Sequence, residues 1–254
     1  MNPDPALDIE ALSYAVGKEH KILKGVSMRV GHGEFVVLSG RNGTGKSMLL
    51  RCIKGLLNPD GGIIQVDGKD LSKRPKERNK SIGLVFQDAD TQLVGQTVER
   101  DILFGLENLQ VPDKERTARI GSVVRLLDLA PLLHQRPRTL SGGERRRVAI
   151  AGVLVMQPKI LMLDEPFANL DYPGIVQVLE SLVELKRQGT TILVATHEIE
   201  KLLAHADSMV LLDGGNIVVQ DIPERVLGIV EHFGVRRPSY HGKPIPVAHL
   251  TWLK

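Results

Sequence analysis

The chain has 254 residues, 42% of them hydrophobic and 25% charged, close to the average for a folded globular protein. That length buries about three quarters of the unfolded surface, so stability requires neither disulfides nor a structural metal. Basic residues number 33 against 30 acidic ones, and a net charge of +3 is too small to point to a nucleic-acid partner.

The opening MNPDPALDIE has neither a basic end nor an apolar core, so no signal peptide is expected there. LDIEALSY and KGVSMRV read as an antiparallel ribbon, and FVVLSG (Phe35–Gly40) as a buried strand. Ser47–Leu57 carries apolar residues at helical spacing, and its single cysteine, Cys52, is expected as a buried small hydrophobe. One cysteine permits no intrachain disulfide, which fits a reducing compartment. SIGLVFQ (Ser81–Gln87) is the next continuously apolar strand.

From Ala89 to Gly152 no buried strand is evident, and helices are expected over Val98–Asn108, Glu115–Leu127 and Glu144–Val155. This stretch reads as a helical subdomain inserted between two strands of the core. The basic run Arg145, Arg146 and Arg147 opens a helix with an apolar continuation, which favours a solvated or structural helix face over a nucleic-acid patch. KILMLDE (Lys159–Glu165), a helix over Gly174–Gln188 and the strand TTILVATH (Thr190–His197) follow. SMVLLDG and NIVVQD make a second ribbon around the tight turn at Gly214, Gly215 and Asn216. Residues 231–254 carry three prolines and read as either an extended tail or a small docking element. Apolar runs such as LVFQ and ILML stop far short of the roughly 20 residues needed to cross a bilayer.

Alternating strands and helices predict an α/β fold with a mostly parallel sheet. The segment Gly40, Arg41, Asn42, Gly43, Thr44, Gly45, Lys46 and Ser47 matches the phosphate-loop pattern, after a strand and at the start of a helix. Glycines let successive backbone N–H groups turn inward toward phosphate oxygens, and the helix adds its positive end. Lys46 can reach the β- and γ-phosphates, and the Ser47 hydroxyl can ligate Mg²⁺. Asp164 and Glu165 follow four apolar residues at the carboxyl edge of the expected sheet, where open α/β folds bind ligands. Asp164 is the candidate Mg²⁺ partner, and Glu165 the residue that polarises the attacking water.

Leu140, Ser141, Gly142, Gly143 and Glu144 resemble the signature of ATP-binding-cassette (ABC) proteins. Ser141, Gly142 and Gly143 at a helix start make a second anion-binding nest, and Ser141 can equally serve as an N-cap. Gln87 is similar to the family's Q-loop glutamine, which senses Mg²⁺ and the attacking water. Asn169, Leu170 and Asp171 resemble the D-loop, with Asp171 reaching across a dimer, and His197 resembles the switch histidine at the γ-phosphate. The resemblance spans about residues 7–226. It implies an ATPase on a phosphate-loop core, with an antiparallel β subdomain, a helical subdomain at about 89–152, and a cassette domain over residues 1–230. It implies ATP and Mg²⁺, and a second cassette, identical or paralogous, meeting the first head to tail.

Two departures stand out. Glu144 replaces the family's usual glutamine. The adenine-stacking aromatic falls nearest Val16, with Tyr14 two residues earlier, so either Tyr14 stacks on the base or adenine packs on Val16.

DADTQLVGQTVERDILFGLENL after Gln87, and Ala149–Met156 after the signature, are similar to the energy-coupling-factor and cobalt-type branch of importers. That resemblance implies an importer of a vitamin or transition-metal ion and a peripheral position on the cytoplasmic face of the membrane. It also implies an integral-membrane subunit docked at the Q-loop and helix 97–108, with Glu99, Arg100 and Asp101 on the accessible side. A substrate-binding membrane subunit would be met only indirectly, and no nucleic acid is expected. A soluble cassette in translation or DNA repair, or the ATPase of another ABC branch, remains the alternative. Neither a second phosphate loop nor a long heptad tract accompanies the motifs.

Overall fold

A computed structural model describes residues 4–17 and 20–253. Strands β1 (Leu7–Val16) and β2 (His20–Val30) pair antiparallel, as the first ribbon predicts. β3 (Phe35–Ser39) leads through the glycine-rich loop into helix α1 (Lys46–Lys54), on which Cys52 is buried. The sequence reading passes over the next three elements: β4 (Gly61–Val66), β5 (Lys69–Asp70) and helix α2 (Pro75–Ser81). β4 and β5 join β1 and β2 in a four-stranded antiparallel sheet.

β6 (Ile82–Val85) is shorter than the apolar run SIGLVFQ. Its ladder ends where Phe86 N donates to Gln92 Oε1 (3.0 Å), so Gln87 sits in the following loop instead of at the strand end. Three helices then lie between β6 and the next strand: α3 (Val98–Asn108), α4 (Asp113–Leu126) and α5 (Gly142–Leu154). β7 (Ile160–Asp164), α6 (Tyr172–Arg187) and β8 (Thr191–Ala195) return the chain to the core. The second ribbon is β9 (Ser208–Asp213) and β10 (Asn216–Asp221), turned by Gly214 and Gly215, both at positive φ.

The main sheet runs β10-β9-β3-β8-β7-β6, with every pairing parallel except β9 with β10. All its strands but the edge strand β10 are buried on both faces, and alternate residues divide between two cores. Phe35, Val37, Leu161, Leu163, Ile192 and Val194 face the core shared with α3, α5 and α6. Val36, Leu38, Ile160, Met162, Leu193 and Ala195 face the core shared with α1 and the four-stranded sheet. Four adjacent strands, β3, β8, β7 and β6, therefore end side by side at one edge, and every central motif lies at or just past those ends.

The C-terminal segment folds back onto the body. After the short helix α7 (Pro223–Val226) and a hairpin of β11 (Ser239–Tyr240) and β12 (Lys243–Pro244), Leu250 is buried and its carbonyl accepts from Ala204 N (3.0 Å). Trp252 N donates to Lys201 O (3.1 Å), its ring lies 5.5 Å from that of Tyr172, and Lys201 Nζ sits 5.0 Å over it. Among the described residues no helix is long and apolar enough to cross a membrane.

Candidate functional site

The phosphate-loop segment bridges β3 and α1 with two positions that only glycine fills. A Cβ at Gly40 would run into the Leu212 carbonyl, and Gly45 holds φ 105° with the side chains of Ile22 and Leu23 3.1 Å from where a Cβ would lie. Thr44 caps the curl by donating to Arg41 O (2.9 Å), and Asn42 and Gly43 form its tip. Lys46 is buried in the turn, with Nζ donating to Gly40 O (2.8 Å) and Arg41 O (3.2 Å). Burial pulls its ammonium below the ordinary lysine range, while Glu165 and Asp164 pull the other way.

At the end of β7, Asp164 and Glu165 are both buried. Burial raises the Asp164 carboxyl above its ordinary range, opposed first by a hydrogen bond from Ser47. Asp164 Oδ1 has no hydrogen-bond partner among the described residues. A buried carboxylate oxygen left open beside a serine hydroxyl is the donor chemistry of a hard cation such as Mg²⁺, so these residues fit the ion.

Glu165 sits at φ 44°, in the left-handed region that non-glycine residues rarely adopt, and its N–H is tied to Ala195 O on β8 (2.8 Å). Its Oε1 lies 2.9 Å from His197 Nδ1 and 3.8 Å from Lys46 Nζ. Its Oε2 accepts from the hydroxyl of Thr196 (2.9 Å). The fold thus brings Lys46, Glu165 and His197, from three separate segments, around one carboxylate. Thr196 is a member of this cluster that the sequence reading overlooked. The available signal was its place, the residue between a parallel strand and the histidine, where a hydroxyl faces the neighbouring strand's end.

Gln87 is exposed and makes no side-chain hydrogen bond among the described residues; its backbone carbonyl accepts from Arg146 Nη2 (2.5 Å). Arg146 also donates to Phe86 O (2.5 Å) and is buried, while Arg145 pairs with Asp90 (2.7 Å). Of the two helix-face readings of the basic run, solvated or structural, the structural one therefore holds, with Arg146 and Arg147 buried. Two of its arginines reach from α5 to the loop that carries Gln87.

Ser141 caps α5 in a reciprocal box: Glu144 N donates to Ser141 Oγ (3.3 Å) and Ser141 N to Glu144 Oε2 (2.7 Å). Glu144, the departure from the family's glutamine, serves this cap. Gly142 is half-buried, and Gly143 lies so close to α6 that a Cβ would come 2.7 Å from Gly174 Cα. Asp171 is exposed and caps α6 through Gly174 N (3.1 Å). The signature segment and the Asp171 turn thus share one packed junction. At the far end of β1, Tyr14 packs against the core next to the four-stranded sheet while Val16 is 52% exposed. Of the two adenine candidates, Val16 offers the open surface.

One expectation is overturned. Asp101, expected on the accessible side of α3, is buried, and its Oδ1 accepts from Val94 N (2.7 Å) and Gly95 N (2.8 Å). Glu99 and Arg100 are exposed as expected. The apolar member of this face is Phe104, 49% exposed at a groove of about 480 Å³ shared with Val94, Gly105, Gly152, Met156 and Lys80.

Known proteins place this geometry. A family model described as ABC transporter matches residues 23–168. The energy-coupling factor transporter ATP-binding protein EcfA1 of Bacillus subtilis (strain 168) is 40% identical over 230 residues, 89% of this chain and 82% of that one. EcfA2 of Clostridium perfringens (strain SM101 / Type A) is 36% identical over 242 residues, 92% of this chain and 85% of that one. Among solved structures, cbiO1 from Clostridium perfringens, part of the ABC transporter complex cbiONQ, superposes with a TM-score of 0.82 at 36% identity, covering 90% of this chain and 93% of that one.

Proposed function

Because the chain belongs to the ABC transporter family, whose ATP hydrolysis is coupled to transport, we propose that it is the cassette of an energy-coupling-factor importer and that Glu165 is its general base. The observation that carries the reading is the Glu165 carboxylate, buried at a strand end with His197 Nδ1 at 2.9 Å and Lys46 Nζ at 3.8 Å. A carboxylate so held is placed to take a proton from a water attacking the γ-phosphate, and His197 to orient that water. Lys46, the backbone N–H groups of residues 40–47 and the N-terminus of α1 bind the phosphates and stabilise the charge that develops on them.

Ser47 and Asp164, with Gln87 at the loop beside them, would hold Mg²⁺. When bound, that ion supplies further neutralisation of phosphate charge. In this reading Ser141, Gly142 and Gly143 present the α5 N-terminus to the ATP of a second cassette, and Asp171 faces across the same junction. Two copies or two paralogues closing head to tail then make two composite sites, which loss of the γ-phosphate opens.

The cassette occupies residues 1–230, with the helical subdomain at about 89–152 inserted in it. Residues 231–254 are then the docking element, of which Leu250 and Trp252 pack on the body. The groove at Phe104 and the exposed face of α3 would receive an integral-membrane subunit. That places the protein peripherally, on the cytoplasmic face. Cargo of the vitamin or transition-metal class follows from the importer branch.

Glu165→Gln tests the reading. It keeps the shape and removes the base, so ATP binding is expected to persist while kcat falls roughly 10²–10⁴-fold. An ATP-bound dimer should then accumulate in size-exclusion chromatography. Turnover within a few fold of the parent protein would refute Glu165 as base.

A further inference from the structure

We infer that Thr196 is a positioning residue for hydrolysis, holding the Glu165 carboxylate in its working orientation; the inference rests on the reading of Glu165 as base. Thr196 is fully buried and fixed from three directions. Its N–H donates to Leu38 O (3.0 Å), which ties it to the end of β3 just before the phosphate loop. Its hydroxyl oxygen accepts from Glu198 N (3.0 Å), and the hydroxyl donates to Glu165 Oε2 (2.9 Å).

A hydroxyl has one proton to give. With a backbone N–H already directed at its oxygen, the Thr196 proton is left to point at the carboxylate. Oε2 is occupied by this bond, and Oε1 is the oxygen that faces His197 and Lys46. Rotation of the carboxylate would break the Thr196 bond. The hydroxyl therefore fixes the plane of the carboxylate, so that one oxygen stays held by Thr196 and the other is presented to the reacting water.

The need for such a restraint is local. Glu165 sits at positive φ on a turn of its own, one residue beyond the β7 ladder. A residue in this region persists only when its surroundings over-determine it. The backbone bond from Glu165 N to Ala195 O fixes the main chain, and Thr196, the residue just past β8, fixes the side chain. The end of β8 and the residue after it thus restrain Glu165 twice, once in its backbone and once in its carboxylate.

The test compares Thr196→Val, Thr196→Ala and Thr196→Ser in steady-state ATP hydrolysis, with ATP affinity measured separately. Losing a hydrogen bond to a charged partner predicts a fall in kcat of about tenfold to a hundredfold for Val. KM and the ATP dissociation constant should stay within about twofold. Ser, which keeps the hydroxyl, should recover at least a third of the lost rate. Ala keeps the test open should Val fail to fold, because it removes the hydroxyl without adding a methyl that must be accommodated.

Adding Thr196→Val or Thr196→Ala to Glu165→Gln should cost nothing further, because Thr196 acts through that carboxylate. If Glu165→Gln is inactive while both hydroxyl-free variants keep kcat within twofold, the positioning role is wrong and the base survives. Serine no better than alanine overturns it equally. If Glu165→Gln itself turns over normally, the base reading fails and Thr196 falls with it.

Discussion

Asp101 offers the sharpest test of how α3 is built, because sequence and structure disagree about it. Its Oδ1 accepts two backbone N–H groups, from Val94 and Gly95, and so fastens the segment before α3 onto the helix's first turn. Asp101→Ala removes the acceptor and strands both donors. Each unsatisfied buried group costs about 1–3 kcal/mol, and these are only partly buried, so a total of roughly 2–3 kcal/mol is expected. For a chain of this size that lowers Tm by about 4–12 °C. Asp101→Asn is different: the amide oxygen can accept from both N–H groups, and the burial penalty of a charge disappears. Its cost should stay within about 1 kcal/mol.

The pH dependence follows from burial, which raises the Asp101 carboxyl above its ordinary range against the pull of Gly95 N and Val94 N. A carboxyl raised on folding binds protons more readily in the folded state. Its contribution to stability therefore falls as pH rises from the ordinary carboxylate value through the raised one. The parent protein should gain on Asp101→Asn as the solution is acidified from neutral pH. Urea titrations of the three proteins at two pH values measure all of this. Asp101→Ala within about 0.5 kcal/mol of the parent, the behaviour of an ordinary surface charge, would refute the reasoning.

Two further outcomes are expected from the same geometry. Gly143→Ala brings a methyl 2.7 Å from Gly174 Cα, a backbone atom that cannot swing aside; about 1–3 kcal/mol of stability should be lost in denaturant titration. An unchanged midpoint would mean that the α5–α6 junction is looser than this contact requires. Val16→Tyr places an aromatic ring on open surface where stacking is worth about 1–3 kcal/mol, so ATP should bind about fivefold tighter or better by calorimetry. Tyr14→Leu should leave affinity within twofold; the reverse pattern would make Tyr14 the adenine contact.

What could be read from the chain was whatever its local pattern encoded. FVVLSG, KILMLDE and TTILVATH are apolar throughout because their strands are buried on both faces, and the phosphate loop is legible because glycines are needed at fixed steps. β4 escaped notice because it begins with two glycines, and α2 because PKERNKS buries only Arg78 and so has no apolar period to detect. Asp101 was expected with Glu99 and Arg100 on the accessible side of its helix. Its partners lie in a loop whose path no periodicity records. The buried arginines were hidden for a related reason. A run of three basic residues reads equally as a solvated or a structural helix face, and only the fold shows Arg146 spending its donors on carbonyls sixty and fifty-nine residues away. Thr196 needed the order of the sheet, since its target sits just past the end of the adjacent strand.

These long-range bonds converge on the segment from Phe86 to Gly95, which lies between the nucleotide-site strands and the groove at Phe104. At one end Arg146 on α5 holds the carbonyls of Phe86 and Gln87. At the other Asp101 on α3 holds the amides of Val94 and Gly95. In the middle Gln92 bonds back to Phe86 N, and Asp90 pairs with Arg145. α3 and α5 also pack on one another, with the place for a Cβ on Gly105 3.3 Å from the Gly152 carbonyl oxygen. A segment pinned by both helices follows their movement, because packed elements shift between discrete arrangements instead of deforming smoothly. Displacing α3 carries Val94 and Gly95 with it, and displacing α5 carries Gln87. The signature segment at the start of α5, the groove and the loop beside the Mg²⁺ candidates Ser47 and Asp164 are therefore parts of one mechanical unit. That unit is built from hydrogen bonds, so its stiffness can be dissected one donor at a time.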